Sequence, residues 1–150
     1  MRSLITGDIP APERAEILLS GTSSDAHTWN LVFLQLLLEE AGHRVANLGP
    51  CVPAPLLVEE ALELAPRLIV LGSVNGHGHQ DGLQAVRALR ARPELALVPV
   101  VIGGKLGVNG PLTADRVREL TDAGFDEVFG DADIGAFVSY LSRFELRVAS

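Results

Sequence analysis

Five short runs of apolar residues recur along this chain, and each is followed by a longer segment with helical patterning. The runs lack polar alternation, which favours strands that are buried on both faces of a parallel sheet. The predicted strands span residues 16–20, 44–48, 68–71, 98–102 and 127–129. The predicted helices span residues 30–41, 55–64, 82–91, 113–123 and 134–144. Five β/α units in series predict an α/β fold with a doubly wound, five-stranded parallel sheet of flavodoxin-like or Rossmann-like type.

The residues at the predicted helix boundaries agree with this assignment. Gly42 and Gly124 follow helices, Pro55 opens one, and Thr113 is placed to cap another. Because crossovers between parallel strands are right-handed, we expect the strand order 2-1-3-4-5. That order reverses direction between strands 1 and 3, and a ligand should bind beyond the carboxyl ends of those strands.

Length and charge limit the classes of function. The 150 residues fit one domain, assigned to residues 15–150 after a loose leader at residues 1–14. The net charge of −7 argues against nucleic-acid binding, because phosphate backbones attract a positive surface. The sequence has no basic run for an anionic membrane and no apolar stretch long enough to span a bilayer. Its only cysteine, Cys51, excludes an internal disulfide and favours a cytoplasmic location.

Three loops rich in glycine and small polar residues follow predicted strands 1, 3 and 4. They span residues 21–30, 72–79 and 103–107, and all three converge on the edge where a ligand is expected. Small residues let a bulky ligand approach the backbone closely. The Gly103–Gly104 pair is also typical of a plain turn after a strand, so both interpretations of it stay open.

The first of these loops carries Asp25 and His27. A metal-binding imidazole works best when its second ring nitrogen donates a hydrogen bond to a carboxylate, and an aspartate two residues earlier can reach it if the loop bends back. The alternative is structural. In that case Asp25 caps the first helix and His27 lies in solvent at its first turn.

The second loop carries His77 and His79, which could hold a zinc ion. Zinc usually takes three or four protein ligands, and Asp81 is the only acidic residue nearby. We therefore interpret this segment as a polar loop with two exposed histidines.

The first predicted helix is apolar almost all round, at residues 31–34 and 36–38. A surface helix normally keeps a polar face, so deep burial is the default interpretation. Covering a ligand or contacting a partner subunit is the alternative.

Taken together, the three loops resemble the cobalamin-binding domain family, and within it the small subunits of glutamate mutase (methylaspartate mutase). That family carries Asp-x-His-x-x-Gly after strand 1, Ser-x-Leu after strand 3 and Gly-Gly after strand 4. The matching segments here are residues 25–30, 72–74 and 103–104. The resemblance covers residues 15–144, and the segment 41–49 is also similar to the family's second strand region.

This resemblance implies a cofactor and a set of binding residues. The cofactor would be adenosylcobalamin, whose own benzimidazole base leaves the cobalt so that His27 becomes the metal ligand, with Asp25 holding the imidazole. The nucleotide tail would enter a slot between strand 1 and the first helix. The implied cofactor-binding residues are Ser24, Asp25, Ala26, His27, Thr28, Asn30, Gly72, Ser73, Val74, Gly76, Gly103 and Gly104.

The resemblance also implies an activity and a partner. The chain would be the small subunit of a carbon-skeleton mutase that converts glutamate to 3-methylaspartate, with a separate large barrel subunit that binds the substrate. No catalytic residue is then expected on this chain, which would be inactive alone. A homodimer, or a heterotetramer with the large subunit, is the expected assembly.

Three positions depart from the family's motifs. Asn30 stands in place of the Gly, Gly72 in place of the Ser and Val74 in place of the Leu. Loss of the serine hydrogen bond would cost about 0.5–1.5 kcal/mol, or about tenfold in affinity, unless Ser73 replaces it. On this basis Gly72→Ser should tighten cobalamin binding, while Asn30 could crowd the slot. After strand 5, Gly130 is present without the threonine that often follows it in the family.

Other functions of this fold class remain as alternatives. A phosphate-receiver domain needs an acidic residue at the end of strand 3, where Gly72, Ser73 and Asn75 offer none. A flavin binder would use the hydroxyls of residues 20 and 22–24 on a phosphate, which Asp25 would repel. A corrinoid methyl carrier would need a helical domain ahead of residue 15. A non-catalytic cobalamin-sensing module that regulates a partner protein stays open.

Overall fold

The computed structural model describes residues 15–131 and 133–149. The predicted leader, residues 1–14, lies outside the described residues. Within the described residues, no helix combines the length and the apolar character needed to cross a membrane.

Five strands and five helices alternate along the described chain. The strands are β1 (Ile17–Gly21), β2 (Val45–Asn47), β3 (Leu68–Gly72), β4 (Val100–Gly103) and β5 (Glu127–Phe129). The helices are α1 (Trp29–Glu40), α2 (Ala54–Leu64), α3 (Gly78–Arg90), α4 (Ala114–Ala123) and α5 (Ile134–Ala149), and a 3₁₀ turn at Pro93–Leu95 precedes β4. Most of these elements lie within about two residues of the predicted ones.

All strand pairs are parallel, and the sheet order is β2-β1-β3-β4-β5. The predicted fold and strand order are therefore confirmed. At the carboxyl edge, Gly21 pairs with Gly72, and Gly72 pairs with Gly103. This row of three glycines removes side chains from the floor of the crevice where the chain reverses direction.

The sheet separates two apolar layers, because successive strand residues face opposite sides. One layer contains α1 and α5, which pack on Ile17, Leu19, Val70 and Val101. The other contains α2, α3 and α4, which pack on the alternate residues Leu18, Ile69, Leu71, Val100 and Ile102. Burial of both faces explains why the strand sequences lack polar alternation.

Helix α3 begins four residues before the predicted start. Gly78 and Gly82 lie so close to Leu106 and Ile102 that an added Cβ would stand 2.5 Å and 2.8 Å from those side chains. This close packing stabilises the start of α3, although the two glycines have low helix propensity. His79 therefore lies on the helix, with its side chain 18% exposed and 3.5 Å from Glu119. The expectation of two exposed loop histidines was wrong for His79, whereas His77 is exposed.

Helix α1 is less buried than its composition predicts. Leu31 and Leu38 are fully buried, but Trp29, Val32, Phe33 and Leu36 are exposed, Trp29 by 82%. These four residues recur at helical spacing and form one stripe, which we call the α1 stripe. The default prediction of deep burial was wrong, because α1 covers the edge of the sheet with only one of its apolar faces.

The loops after β3 and β4 approach each other closely at Gly104. This residue has φ +118°, and a Cβ added there would lie 2.1 Å from the Ser73 carbonyl oxygen. A side chain at this position would push the two loops apart. Gly104 therefore has a structural role, whatever else the Gly103–Gly104 pair does.

We expect Gly104→Ala to lower the free energy of unfolding by about 2–4 kcal/mol, from backbone strain together with overpacking. Gly42→Ala is the matched control, since Gly42 has φ +97° and open space around its Cβ position. The control should cost only about 1 kcal/mol. Urea denaturation measures both, and equal losses in the two variants would disprove the close-approach explanation.

Candidate functional site

Asp25 and His27 form a directly hydrogen-bonded pair on the loop between β1 and α1. Asp25 Oδ1 lies 2.7 Å from His27 Nδ1 and accepts a second hydrogen bond, of 2.9 Å, from the His27 amide. The carboxylate is buried, whereas the His27 side chain is 62% exposed. Because Nδ1–H donates to a carboxylate, the lone pair is placed on Nε2 of an exposed ring. This is the arrangement of an imidazole prepared to bind a metal.

The second carboxylate oxygen of Asp25 anchors the loop that follows β3. Oδ2 accepts hydrogen bonds from the amides of Val74 at 2.6 Å and Asn75 at 3.2 Å. Burial raises the pKa of the Asp25 carboxyl, but the bonds from Val74 and His27 outweigh burial and hold that pKa below its usual range. Asp25 is therefore a carboxylate at neutral pH, and it joins the first and second loops.

The helix-capping alternative for Asp25 is wrong. Thr28 occupies the N-cap of α1, and no side chain caps that end. Asp25 lies outside the helix, and its carboxylate is occupied by the His27 ring and by three backbone amides.

Ser24 and Asn75 extend this polar cluster. The Asn75 side-chain amide donates to the Ser24 carbonyl at 3.2 Å and to its hydroxyl at 3.1 Å. The Ser24 hydroxyl donates to Asp81 in the first turn of α3. Asn75 and Asp81 were not among the predicted site residues. They hold the loop that carries His27. The only sequence signal for a role in the site was that both residues follow strand 3.

A cavity of about 160 Å³ lies between α1 and α5, above the carboxyl ends of β3, β4 and β5. Its walls are mostly apolar, and glycine backbone and a few polar side chains line its mouth. The lining residues are Asn30, Phe33, Leu34, Val70, Leu71, Val74, Val101, Gly103, Gly104, Phe129, Gly130, Asp131, Asp133, Ile134 and Phe137. Four predicted site residues, Asn30, Val74, Gly103 and Gly104, thus line the same cavity.

The cavity does not coincide with the predicted slot between strand 1 and the first helix, and the entry of a nucleotide tail there stays a prediction. Leu31 and Leu38 of α1 pack in the same apolar cluster as Ile17 and Leu19 of β1. No β1 residue lines the cavity, which opens instead towards α5. The residues that α5 contributes, Ile134 and Phe137, were not predicted as site residues. The one sequence signal near these two residues was the missing threonine after Gly130.

A side chain at position 72 would compete for space with the side chain of Asn30. A Cβ added to Gly72 would lie 3.1 Å from Asn30 Nδ2, 3.2 Å from Leu31 Cδ2 and 3.4 Å from Leu34 Cδ1. A serine at position 72 would therefore have to displace the Asn30 carboxamide. The expectation that Gly72→Ser alone tightens binding is revised for this reason.

The remaining predicted residues lie around the cluster and do not line the cavity. Ser73 is fully buried, and its hydroxyl lies 3.4 Å from Asn75 Oδ1, so it does not replace a hydroxyl at position 72. Gly76 has φ +89° and packs against Val108. Ala26 and Thr28 are exposed beside His27.

The alternative cofactors find little support in this geometry. Among the described residues, no group of three or more histidine, cysteine or acidic side chains is placed to hold a metal ion. A phosphate site of the flavin type would need free hydroxyls after β1. Ser20 and Thr22 are buried, and the Ser20 hydroxyl donates to the Gly21 carbonyl at 2.8 Å.

Relatives of this chain include a mutase subunit and a transcriptional repressor. It is 27% identical over 116 residues to the glutamate mutase sigma subunit of Fusobacterium nucleatum, covering 77% of this chain and 85% of that protein. It is also 34% identical over 106 residues to the HTH-type transcriptional repressor CarA of Myxococcus xanthus, covering 70% of this chain and 35% of the repressor.

Among solved structures, a cobalamin-binding protein from Desulfitobacterium hafniense is similar, with a TM-score of 0.70 and 26% identity. The match covers 88% of this chain, which spans 60% of the length of that protein. The family model of the B12 binding domain matches residues 16–137, which include both the Asp25–His27 pair and most of the cavity wall. This chain belongs to the B12-binding domain family.

Proposed function

We propose that this protein binds the cobalt of cobalamin through Nε2 of His27, with Asp25 as the residue that orients the imidazole. The observation that carries the proposal is the 2.7 Å contact between Asp25 Oδ1 and His27 Nδ1, beside an exposed ring. A carboxylate bonded at Nδ1 fixes the tautomer and raises the basicity of the other nitrogen. The pairing of Asp25 Oδ2 with Val74 and Asn75 keeps this geometry rigid.

The cavity between α1 and α5 is the proposed site of the nucleotide tail. Its apolar walls suit a flat aromatic base, and the half-buried backbone of Gly103 and Gly104 in its lining suits close approach of a bulky ligand. Val74 lines the cavity and donates to Asp25, so the tail and the cobalt ligand are supported by one short segment.

The most specific function we propose is that of the small subunit of a glutamate mutase, acting in the cytoplasm with a large subunit that binds the substrate. Adenosylcobalamin, when bound, supplies a radical by cleavage of its cobalt–carbon bond. This chain's residues bind and orient the cofactor, and none is proposed to act on glutamate or 3-methylaspartate. Relatives named as glutamate mutase sigma subunits support this assignment.

The α1 stripe supports a partner on this side of the molecule. Trp29, Val32, Phe33 and Leu36 are exposed, and Phe33 also lines the cavity. Contiguous exposed apolar residues next to a ligand site are typical of an interaction surface. We assign this surface to the large subunit, in a heterotetramer. A homodimer of this chain through the same stripe is the alternative assembly.

A second candidate is a cobalamin-sensing module that regulates a partner protein. The similarity to the repressor CarA, at 34% identity over 106 residues, specifically favours it. Both functions use the same His27 site, and they differ only in what the partner does.

His27→Ala should abolish the spectrum of histidine-ligated cobalamin, because no other side chain of this protein is proposed to bind the cobalt. The visible spectrum of the purified protein with cobalamin measures this, and far-UV circular dichroism checks the fold. The matched control is His77→Ala, which removes an exposed histidine from the neighbouring loop. Retention of the ligated spectrum in His27→Ala would refute the role of His27.

Binding to a mutase large subunit distinguishes the mutase function from the sensing function. Mixed with the mutase large subunit encoded in the same genome, the cobalamin-loaded protein should convert glutamate to 3-methylaspartate. Leu36→Glu places a charge in the α1 stripe, and it should weaken large-subunit binding about tenfold or more while the cobalamin spectrum is unchanged. A normal cobalamin spectrum with neither complex formation nor turnover would favour the sensing function.

Asp25→Asn should lower the free energy of unfolding at pH 7 by about 1.5–3 kcal/mol, the range for hydrogen bonds to a charged group. The folded-state pKa of Asp25 is lowered, so its stabilising effect is present above the unfolded-state pKa and is lost as pH falls through the folded-state value. The difference in stability between the parent protein and the variant should therefore shrink in acid. Urea denaturation from pH 3 to pH 7 measures it, and a pH-independent difference would contradict an ionised Asp25.

A further inference from the structure

The carboxamide of Asn30 has an unusual position at the cavity. Its Oδ1 atom is buried and has no hydrogen-bond partner among the residues that the structure describes. Asn30 lines the cavity, whose neighbouring walls include the apolar side chains of Leu34, Val74 and Phe33. Leaving a buried acceptor unpaired costs about as much as a lost hydrogen bond, so a ligand that supplies a donor would be favoured.

Because residue 72 is a glycine, the Asn30 carboxamide has room to lie beside it. The Asn30 Nδ2 atom stands 3.1 Å from the place where a Cβ of residue 72 would lie. Leu31 and Leu34 close the same space from the side of α1. The carboxamide nitrogen thus lies against Gly72, and the unpaired Oδ1 is the atom that a donor on a ligand would satisfy.

We propose that Asn30 selects the base of the bound nucleotide tail, and that it favours a base with a hydrogen-bond donor, as adenine has in its amine. In pairs between asparagine and adenine, the carboxamide oxygen accepts a hydrogen bond from that amine. Dimethylbenzimidazole carries methyl groups and no N–H on its outer edge, so it would leave Oδ1 unpaired. This inference rests on the proposed function and adds a specificity to it.

The test compares three corrinoids: cobalamin, the corresponding corrinoid with an adenine base, and cobinamide, which lacks the nucleotide tail. Quenching of Trp29, the only tryptophan and a neighbour of the site, reports binding without any enzymatic activity. We expect the adenine form to bind the parent protein about tenfold more tightly than cobalamin, the effect of about one hydrogen bond.

Two variants tie the preference to Asn30. Asn30→Ala removes the carboxamide and keeps a good helix former, so the preference for adenine should disappear while cobinamide affinity is unchanged. Gly72→Ser should weaken both tailed corrinoids, because the new Cβ meets Asn30 and Leu31. The double variant Asn30→Ala/Gly72→Ser should recover cobalamin binding relative to Gly72→Ser, because the two positions share one space.

The outcomes separate this inference from the proposed function. Equal affinity of the parent protein for the two bases, or a preference that survives in Asn30→Ala, would overturn the role of Asn30 while leaving cobalamin binding by His27 intact. Failure of all three corrinoids to bind the parent protein would overturn the proposed function and this inference with it. Circular dichroism of each variant identifies loss of fold.

Discussion

The buried carboxylate of Asp25 is the interaction on which the geometry of this site depends. One oxygen holds the His27 ring and amide, and the other holds the amides of Val74 and Asn75. A single ion thereby joins the loop after β1 to the loop after β3, across the point where the sheet reverses direction. Burial of an ionised group is costly, and here the cost is offset because every oxygen is hydrogen-bonded. An exposed imidazole is held still without being buried itself.

The glycines of the sheet edge make this arrangement possible. Gly21, Gly72 and Gly103 lie in one row, and Gly104 lets two loops approach to a distance that excludes any side chain. The loops can then bond to each other, as Ser73 does through its amide to the Gly103 carbonyl. Gly103 and Gly104 also line the cavity between α1 and α5, and their lack of side chains leaves it open. The close packing of the loops and the open cavity therefore have the same cause.

The strand order could be predicted because apolar runs and right-handed crossovers contain the information. The two-residue spacing of Asp25 and His27 left their contact open beside helix capping, and the resemblance to the cobalamin-binding domain family favoured the contact. The early start of α3 could not be predicted, since it depends on Leu106 and Ile102 packing against Gly78 and Gly82. The exposure of the α1 stripe and the position of the cavity depend likewise on where α5 packs, which no local pattern specifies. The contact between Asn30 and Gly72 joins residues far apart in the sequence, so each looked like an isolated departure.

That contact changes how the two departures from the family's motifs are understood. Taken one at a time, a lost hydroxyl at position 72 and a larger residue at position 30 both predict weaker binding. In the structure the carboxamide nitrogen of Asn30 stands 3.1 Å from the place where a Cβ of residue 72 would lie, so a side chain at position 72 would crowd Asn30. The cavity has a polar group in its wall, and this group comes from α1. The two departures are therefore one local change beside the cavity, and it leaves the contact between Asp25 and His27 in place.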